Sequence, residues 1–558
     1  MLKTCAKEKN LSKARQIHAD LIKKELIFED VYVATALLST YAKCGAFEKA
    51  LEVFEEIPVR NVVTWNALIA GYSQHGFGSK ALECFNQMRD EQISPDVITY
   101  TSVLKACGIV KSLETGRVID VEVRTKGLLQ KDVMLGNSLV DMYAKCGALE
   151  KAQEVFDELP VRNVVTWNAL ITGYTQQEVG DQALKCFRQM QDEGISPTAV
   201  TYVCILKVCG FLRSLKTGEG IDLEIRKRKL LQKDVMLGNT LVDMYAKCGA
   251  LEKAQHVFEQ LPYHTVVSWT ALISGYVENG LGDEALKCFQ KMKDEGIAPN
   301  AVTYTCILKA CGIVNARDVG EGIDVEVRKK GLLKKDILLG TAVVDMYVKC
   351  GAPKKAQEVF NELPIRDDVS WNALISGYVQ HGLGDEALKC FDLMKIDGFS
   401  PNALTYVSIL KACAIVRSLE IGEGIASDIR KKGLLQKDMS VGTALVDMYA
   451  KFGELEKAQK VFDELPVTTV LSWTALMAGY GQSGQATVVL ELYREMRKQG
   501  ILPSPVTILV LLTVCSHAGL LEEGENLFDD ICGVYKFNPT LEHYTCIIDL
   551  FNSARDFG

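Results

Sequence analysis

The strongest constraint on this chain is a repeat of 102 residues that runs through its whole length. The segment VVTWNALIAGY returns as VVTWNALITGY, VVSWTALISGY, DVSWNALISGY and VLSWTALMAGY. The tryptophans of these segments stand one period apart: Trp65, Trp167, Trp269, Trp371 and Trp473. A chain of 558 residues that repeats in this way is too long for one compact core, so we expect an array of similar units.

The period divides further into three blocks, because the units of repeat proteins run about 20–50 residues. The blocks contain 35, 36 and 31 residues, as in 62–96, 97–132 and 133–163. Fifteen full blocks cover 31–540, and partial blocks occupy 1–30 and 541–558. Because no linker or change of composition separates them, we expect a single domain over 1–558.

Each block is predicted to form two short helices. In 133–163, Leu139, Met142 and Tyr143 have the spacing of one helical face. Gly147 is expected just past the end of the first helix, and Pro160 is expected to stop the second. No segment alternates apolar and polar residues over the length of a strand, so strands are not expected. Two helices of about 12 residues cannot bury a core alone, so the pairs must stack on one another.

Composition argues against several classes of protein. The 63 Lys and Arg residues and 71 Asp and Glu residues give a net charge of −8, which disfavours a polybasic tail for nucleic acid or membranes. No apolar run approaches the roughly 18 residues of a membrane span, and no secretory signal is visible. Many of the 18 cysteines follow the repeat, so we expect free, buried thiols rather than disulfides.

The blocks resemble the pentatricopeptide repeat (PPR) family, specifically its plant PLS subclass. The P-like block reads VVTWNALIAGYSQHGFGSKALECFNQMRDEQISPD, the L-like block VITYTSVLKACGIVKSLETGRVIDVEVRTKGLLQKD and the S-like block VMLGNSLVDMYAKCGALEKAQEVFDELPVRN. The resemblance covers essentially the whole chain and extends to block length, block order and amino-acid sequence. It implies an all-α, right-handed superhelical solenoid of stacked two-helix repeats.

Proteins of this subclass bind single-stranded organellar RNA and direct C-to-U editing, with one base addressed by each repeat. In the family, the fifth and last residues of a motif contact the base edge, and the second residue helps to sandwich the base. The resemblance therefore implies these P-like readers: Asn66, Asp96, Asn168, Thr198, Thr270, Asn300, Asn372, Asn402, Thr474 and Ser504. The implied base-flanking residues are Val63, Val165, Val267, Val369 and Leu471.

The same positions are polar in the S-like blocks and mixed in the L-like blocks. The implied S-like readers are Thr35, Asn61, Asn137, Asn163, Asn239, Thr265, Thr341, Asp367, Thr443 and Thr469. The implied L-like readers are Thr101, Asp132, Asp234, Thr305, Asp336 and Asp438. The L-like fifth residues Val203, Val407 and Leu509 are apolar and cannot hydrogen-bond a base.

The family code turns these pairs into a predicted RNA. Thr with Asn resembles an adenine reader, Thr with Asp a guanine reader, Asn with Asp a uracil reader, and Asn with Asn a reader of cytosine or uracil. When the amino-to-carboxyl direction of the chain is taken as RNA 5′ to 3′, the blocks from Thr35 to Asn163 suggest A-U-G-C. Those from Thr270 to Asp367 suggest A-G-G.

Two readings of these residues stay open on sequence grounds. Asn, Thr or Asp at a block end also suits a helix cap, and spacing alone favours capping over base contact. Lys131, Lys233, Lys335 and Lys437 precede L-like block ends and could meet phosphate, although a solvated helix end is the simpler reading. The acidic balance also favours an alternative function, a protein-binding helical scaffold.

The sequence contains no recognisable catalytic site. None of the seven histidines is followed by x-Glu and no C-x-x-C occurs, so the zinc ligands of a DYW-type deaminase are missing, and no metal or cofactor is expected. Phosphate-loop, dinucleotide and nucleophile-elbow motifs are also absent, so no small-molecule substrate is expected. We therefore expect a non-enzymatic specificity factor, with any editing deaminase acting in trans. The resemblance implies a mitochondrion or chloroplast, although no transit peptide is visible.

Overall fold

The computed structural model describes residues 2–8, 10–23, 30–531 and 538–556. Regular structure in these ranges is helical, and they contain no strand. The helices form two compact units, Met1–Asn279 and Gly280–Gly558. Within each unit the expected all-α stacking of helix pairs is confirmed, whereas a single domain over 1–558 stays a prediction.

In the first unit, Leu2–Glu8 and Leu11–Lys23 precede eight first helices and seven second helices among the described residues. The first helices are Val31–Lys43, Val62–Gln74, Val97–Val110, Val133–Lys145, Val164–Gln176, Ala199–Phe211, Val235–Lys247 and Val266–Glu278. The second helices are Phe47–Glu56, Gly78–Asp90, Leu113–Thr125, Leu149–Glu158, Gly180–Asp192, Leu215–Lys227 and Leu251–Glu259. Each of these first helices starts at the first residue of a block.

The second unit continues the pattern. Its first helices are Ala301–Val314, Ile337–Lys349, Asp368–Gln380, Ala403–Val416, Met439–Lys451, Val470–Gln482, Pro505–Ala518 and Leu541–Asp556. Its second helices are Gly282–Asp294, Arg317–Lys329, Pro353–Glu362, Gly384–Ile396, Leu419–Lys431, Leu455–Asp463, Ala486–Lys498 and Leu521–Asp530. A single-turn helix, Leu434–Lys437, precedes Met439–Lys451.

Local chemistry explains the helix boundaries. Asn61 Oδ1 accepts hydrogen bonds from Val63 N at 2.9 Å and Thr64 N at 3.1 Å, so the last residue of one block caps the first helix of the next. Gly147 adopts φ +79° directly after a first helix, as predicted for a residue past a helix end. These signals are local in sequence, which is why the block boundaries coincide with the helix starts.

The core of each unit lies between neighbouring helix pairs. Val133–Lys145 packs against its own second helix, Leu149–Glu158, and against the next first helix, Val164–Gln176. Phe156 and Trp167 meet edge to face across this junction, with ring centroids 4.5 Å apart. The cysteines of the described chain are free thiols and are mostly buried, and burial raises the pKa of Cys107 to about 12. They pack as small apolar groups.

Candidate nucleic-acid interface

The fold brings together the fifth and last residues of the P-like blocks. Asn66 and Asp96 are 30 positions apart, yet Asn66 Nδ2 donates to Asp96 Oδ1 at 2.9 Å. Asn66 lies in the second turn of Val62–Gln74, and Asp96 caps the next first helix, Val97–Val110. Because consecutive first helices pack side by side, every such pair lies where two blocks meet.

The same contact recurs in other blocks of both units. Asn168 Nδ2 donates to Thr198 Oγ1 at 3.2 Å, and Asn372 Nδ2 lies 3.4 Å from Asn402 Oδ1. An S-like block has it too, since Asn137 Nδ2 lies 3.5 Å from Asn163 Oδ1. The arrangement therefore belongs to the architecture rather than to one repeat.

Threonine at the fifth position forms a different bond in four P-like and S-like blocks, whereas the buried Thr341 hydroxyl has no hydrogen-bond partner among the described residues. The hydroxyls donate to the carbonyl four residues earlier in their own helix: Thr35 to Val31, Thr270 to Val266 and Thr474 to Val470, each at 2.6 Å, and Thr443 to Met439 at 2.9 Å. Thr474 Oγ1 also lies 2.7 Å from Thr507 Oγ1 of the following block. Alternation between Asn and Thr thus changes the polar groups available at the junction.

A hydroxyl at the third position of the next block completes the network. The Thr99 hydroxyl donates to Asn66 Oδ1 at 2.6 Å, and Thr99 N donates to Asp96 Oδ1 at 2.9 Å. Asp96 N in turn donates to Thr99 Oγ1 at 3.1 Å, which makes a capping box. The capping reading of the last residue is correct, and the network orients the Asn66 amide with its Nδ2 toward Asp96.

The fifth residues do not project freely into solvent. Asn66 and Asn372 are each 6% exposed and Thr474 is 8% exposed, whereas the last residues Asn61, Thr198 and Asn402 lie in the open. Partial burial of Asp96 opposes its ionisation, but hydrogen bonds from Thr99 and Asn66 outweigh it, and the pKa of Asp96 is lowered. The candidate surface is a shallow polar edge that holds an ionised carboxylate.

The L-like blocks are organised differently. The Thr101 hydroxyl donates to Val97 O at 2.8 Å within its own helix, and Asp132 Oδ1 accepts from Leu135 N at 3.0 Å. Among the described contacts, no hydrogen bond joins Thr101 to Asp132. The third residue of the following S-like block is Leu135, which cannot supply the hydroxyl that orients an amide. Base reading by L-like pairs stays a prediction.

Exposed apolar side chains flank the polar edge. The predicted base-flanking residues are 55–65% exposed: Val63, Val165, Val267, Val369 and Leu471. Sequence reasoning missed the equivalent residues of the other blocks, which are also exposed: Tyr32, Ile98, Met134, Val200, Met236, Val302, Leu338, Leu404 and Val506. The available signal was an apolar residue in the first turn of each helix, outside its buried face.

In the second unit these residues line one open groove of about 620 Å³. Thr443, Thr469 and Thr474 contribute its polar groups, and Leu471 and Val506 contribute exposed apolar surface. Lys411 and Asp447 contribute charged side chains of opposite sign. The groove thus offers apolar contact, hydrogen bonding and charged groups within one surface.

Among the residues that the structure describes, no cluster of His, Cys, Asp or Glu could hold a metal ion. Across the same residues, no helix combines the length and apolarity of a transmembrane span.

Sequence models of the PPR repeat match most of the chain. One, described as the PPR repeat family, matches residues 60–108, 162–210, 264–312, 366–415 and 468–517. Another, described as a PPR repeat, matches 32–62, 137–164, 239–264, 341–366, 443–467 and 506–533. This chain belongs to the pentatricopeptide repeat family. The division of the chain into P-like, L-like and S-like blocks stays a prediction.

Curated PPR proteins of Arabidopsis thaliana are similar over nearly the full chain. A mitochondrial PPR protein is 33% identical over 98% of this chain and 78% of its own length. The chloroplastic protein DOT4 is also 33% identical, over 100% of this chain, which spans 63% of DOT4.

Solved PPR structures share the fold at lower identity. The crystal structure of PPR10 from maize matches with a TM-score of 0.56 at 20% identity, over 100% of this chain and 87% of PPR10. PPR10 in complex with an 18-nt psaJ RNA element matches with a TM-score of 0.52, over 91% of this chain and 84% of that one. These likenesses support the helical-repeat architecture.

Proposed function

We propose that this PPR chain binds single-stranded RNA with sequence selectivity, and that each P-like or S-like repeat reads one base. The observation that carries the proposal is the contact between fifth and last residues that are 26 or 30 positions apart, which recurs in four P-like and S-like blocks. Each of these four pairs lies beside an exposed apolar second residue. The exchange of Asn for Thr at the fifth position changes the polar groups of the junction, which suits the readout of changing bases better than it suits packing.

The chemistry of one pair illustrates the reading. Uracil presents an N–H donor between two carbonyl acceptors, and Asn66 with Asp96 presents an amide donor beside a carboxylate acceptor. The lowered pKa keeps Asp96 ionised near neutral pH, so it accepts and does not donate. Because Thr99 and the helix N-terminus already hold these groups in place, little side-chain freedom is lost on binding.

The wider role we propose is that of a specificity factor in organellar RNA processing or C-to-U editing. Similarity to PPR proteins named mitochondrial and chloroplastic supports an organellar location. The RNA-bound PPR10 neighbour supports RNA as the ligand of this architecture. In this role the repeats described here select the transcript, and a deaminase carries out the editing chemistry.

Fluorescence anisotropy with a 15-nucleotide RNA tests the proposal. The RNA carries A-U-G-C opposite the blocks of 31–163 and A-G-G opposite those of 266–367, and a matched set replaces the uracil assigned to Asn66 by each other base. Wild type should prefer uracil there, and Asn66→Thr should prefer guanine, each by on the order of tenfold (about 1.4 kcal/mol). Threonine already stands at this position in Thr270 and Thr474, so the fold should tolerate it.

Val203→Thr is the matched control, because it places the same residue type in an L-like block outside the Asn–Thr network. It should leave the preference opposite Asn66 unchanged. Equal binding of all four RNAs by wild type would refute base reading at that repeat. Failure of wild type to bind any of them would favour the scaffold alternative.

A further inference from the structure

We propose that Lys105, Lys207, Lys309 and Lys411 form a series of phosphate-binding sites, one in each of four L-like repeats. This inference rests on the proposed function and extends it from the bases to the RNA backbone. It gives the L-like repeats, which lack the polar network of the P-like and S-like repeats, a role in affinity.

The first support is the ninth position of each first helix. It lies one turn beyond the fifth residue, so both side chains share a helical face. In P-like blocks this position is small and uncharged, as at Ala70 and Ser376. In four S-like blocks it is an aspartate: Asp141, Asp243, Asp345 and Asp447. In four of the five full L-like blocks it is the proposed lysine.

The second support is the pairing of these charges. Each S-like aspartate forms an ion pair with the lysine four residues later, with Nζ–Oδ2 distances of 2.7–2.9 Å. These lysines are Lys145, Lys247, Lys349 and Lys451. The L-like lysines are exposed and form no hydrogen bond or ion pair within the described residues. The face that carries the fifth residues is thus left with uncompensated positive charge at the L-like helices.

The third support is the position of Lys411 in the second unit. It lines the groove of about 620 Å³ together with the predicted base readers Thr443, Thr469 and Thr474. Asp447 also lines this groove, and its carboxylate forms an ion pair with Lys451 at 2.8 Å. It also lines an adjoining groove of about 500 Å³ with Ser376, Ser408 and Lys451. An ammonium group next to the base-reading edge, with hydroxyl donors close by, matches the needs of a phosphate oxygen.

The placement accounts for RNA binding by an acidic chain. Counterion release depends on the charges that face the RNA and not on the net charge of −8. With one base per repeat, the lysines of these four consecutive L-like blocks contact the backbone once every three nucleotides. The L-like repeats then contribute affinity without regard to sequence, and the P-like and S-like repeats supply selectivity.

The test measures the dissociation constant of the 15-nucleotide RNA, and of a scrambled RNA, against salt concentration. The variant combines Lys105→Gln, Lys207→Gln, Lys309→Gln and Lys411→Gln. For single strands the affinity falls with salt, and the magnitude of the slope of log K against log salt is about 0.7 per neutralised phosphate. Each lysine therefore contributes roughly fivefold in affinity at 0.1 M salt relative to 1 M salt. We expect a shallower slope and an equal fold-loss for both RNAs.

The matched control replaces Lys80, Lys185, Lys291 and Lys389 by Gln. These four lysines are exposed on second helices, and two belong to each unit, as in the test set. The charge change is identical, but the slope should stay that of wild type. Replacement of the four proposed lysines by arginine should also retain the slope, because the charge remains.

The fifth L-like block provides a gain of function, which a folding defect cannot imitate. Its ninth residue is Thr513, so Thr513→Lys should steepen the slope by about 0.7 and tighten binding of both RNAs. If wild type binds RNA selectively but the Gln variant keeps its slope and affinity, the phosphate sites are refuted and the proposed function stands. If wild type binds no RNA, both proposals fail.

Discussion

Two kinds of junction between blocks occur along this chain, and a different network of polar side chains holds each kind together. Where a P-like or S-like block meets its successor, polar side chains join at the polar edge, as in the contact of Thr166 Oγ1 with Asn137 Oδ1 at 2.6 Å. Where an L-like block meets an S-like block, that network is missing. A second network, between the L-like second helix and the S-like block, holds those junctions instead.

That second network is built around a buried aspartate. Asp222 accepts from the Tyr245 hydroxyl at 2.8 Å and from Arg226 Nε at 2.7 Å, and Arg226 also bonds to Gln260, the residue that follows the S-like second helix. The same arrangement joins Asp324 to Tyr347 and Arg328, while the equivalent residues of the next two L-like blocks are Ala426 and Phe528. The comparison indicates that the same polar edge that we propose as the base-reading surface also holds the P-like and S-like junctions together, whereas the L-like junctions are held by a network away from that edge.

Removal of the buried aspartate should have the largest effect. Asp222→Ala leaves the Tyr245 hydroxyl and the Arg226 guanidinium without their carboxylate, and we expect a loss of about 3 kcal/mol in the free energy of unfolding. Urea denaturation followed by circular dichroism measures it. Asp181→Ala, at an exposed second-helix residue, should change stability by less than about 0.5 kcal/mol. A loss below about 1 kcal/mol for Asp222→Ala would contradict the role given to this network.

A glycine at the S–P junction should show the next largest effect. A Cβ at Gly173 would lie 2.5 Å from Ala144 Cβ, so Gly173→Ala should lose about 1 kcal/mol in thermal or urea denaturation despite the better helix propensity of alanine. Gly220→Ala is the control, because a Cβ there meets nothing within 4 Å. It should instead gain roughly 0.5–1 kcal/mol. Gains in both variants would show that the S–P junction is not closely packed.

The smallest effect should come from the carboxylate at the reading edge. The pKa of Asp96 is lowered in the folded chain, so its contribution to stability is present above the unfolded pKa of about 4 and is lost as the pH falls through the folded pKa. Asp96→Asn should therefore cost less than about 1 kcal/mol at pH 7, with the difference from wild type shrinking toward pH 3. Unfolding curves at pH 7, 5 and 3 measure this. A difference that grew on acidification would have the wrong sign.

The amino-acid sequence was sufficient to predict the helix boundaries and the core. Caps such as Asn61, the left-handed Gly147 and the apolar spacing of Leu139, Met142 and Tyr143 act over one or two turns. All three of those apolar residues are buried, as expected. Signals of such short range can be read from neighbouring residues alone, and 102-residue repetition confirms each of them several times over.

Which polar side chains contact each other, and which lack such a contact, follows from the stacking of the helices and is visible only in the tertiary structure. Asn66 and Asp96 are within hydrogen-bond distance because two helices stack, and the burial of Asn66 follows from the same stacking. The same holds for the exposed second residues of S-like and L-like blocks and for the lysines that lack a carboxylate partner. Their surroundings come from residues about 30 positions away, and sequence spacing does not report the side-chain contacts that stacking creates.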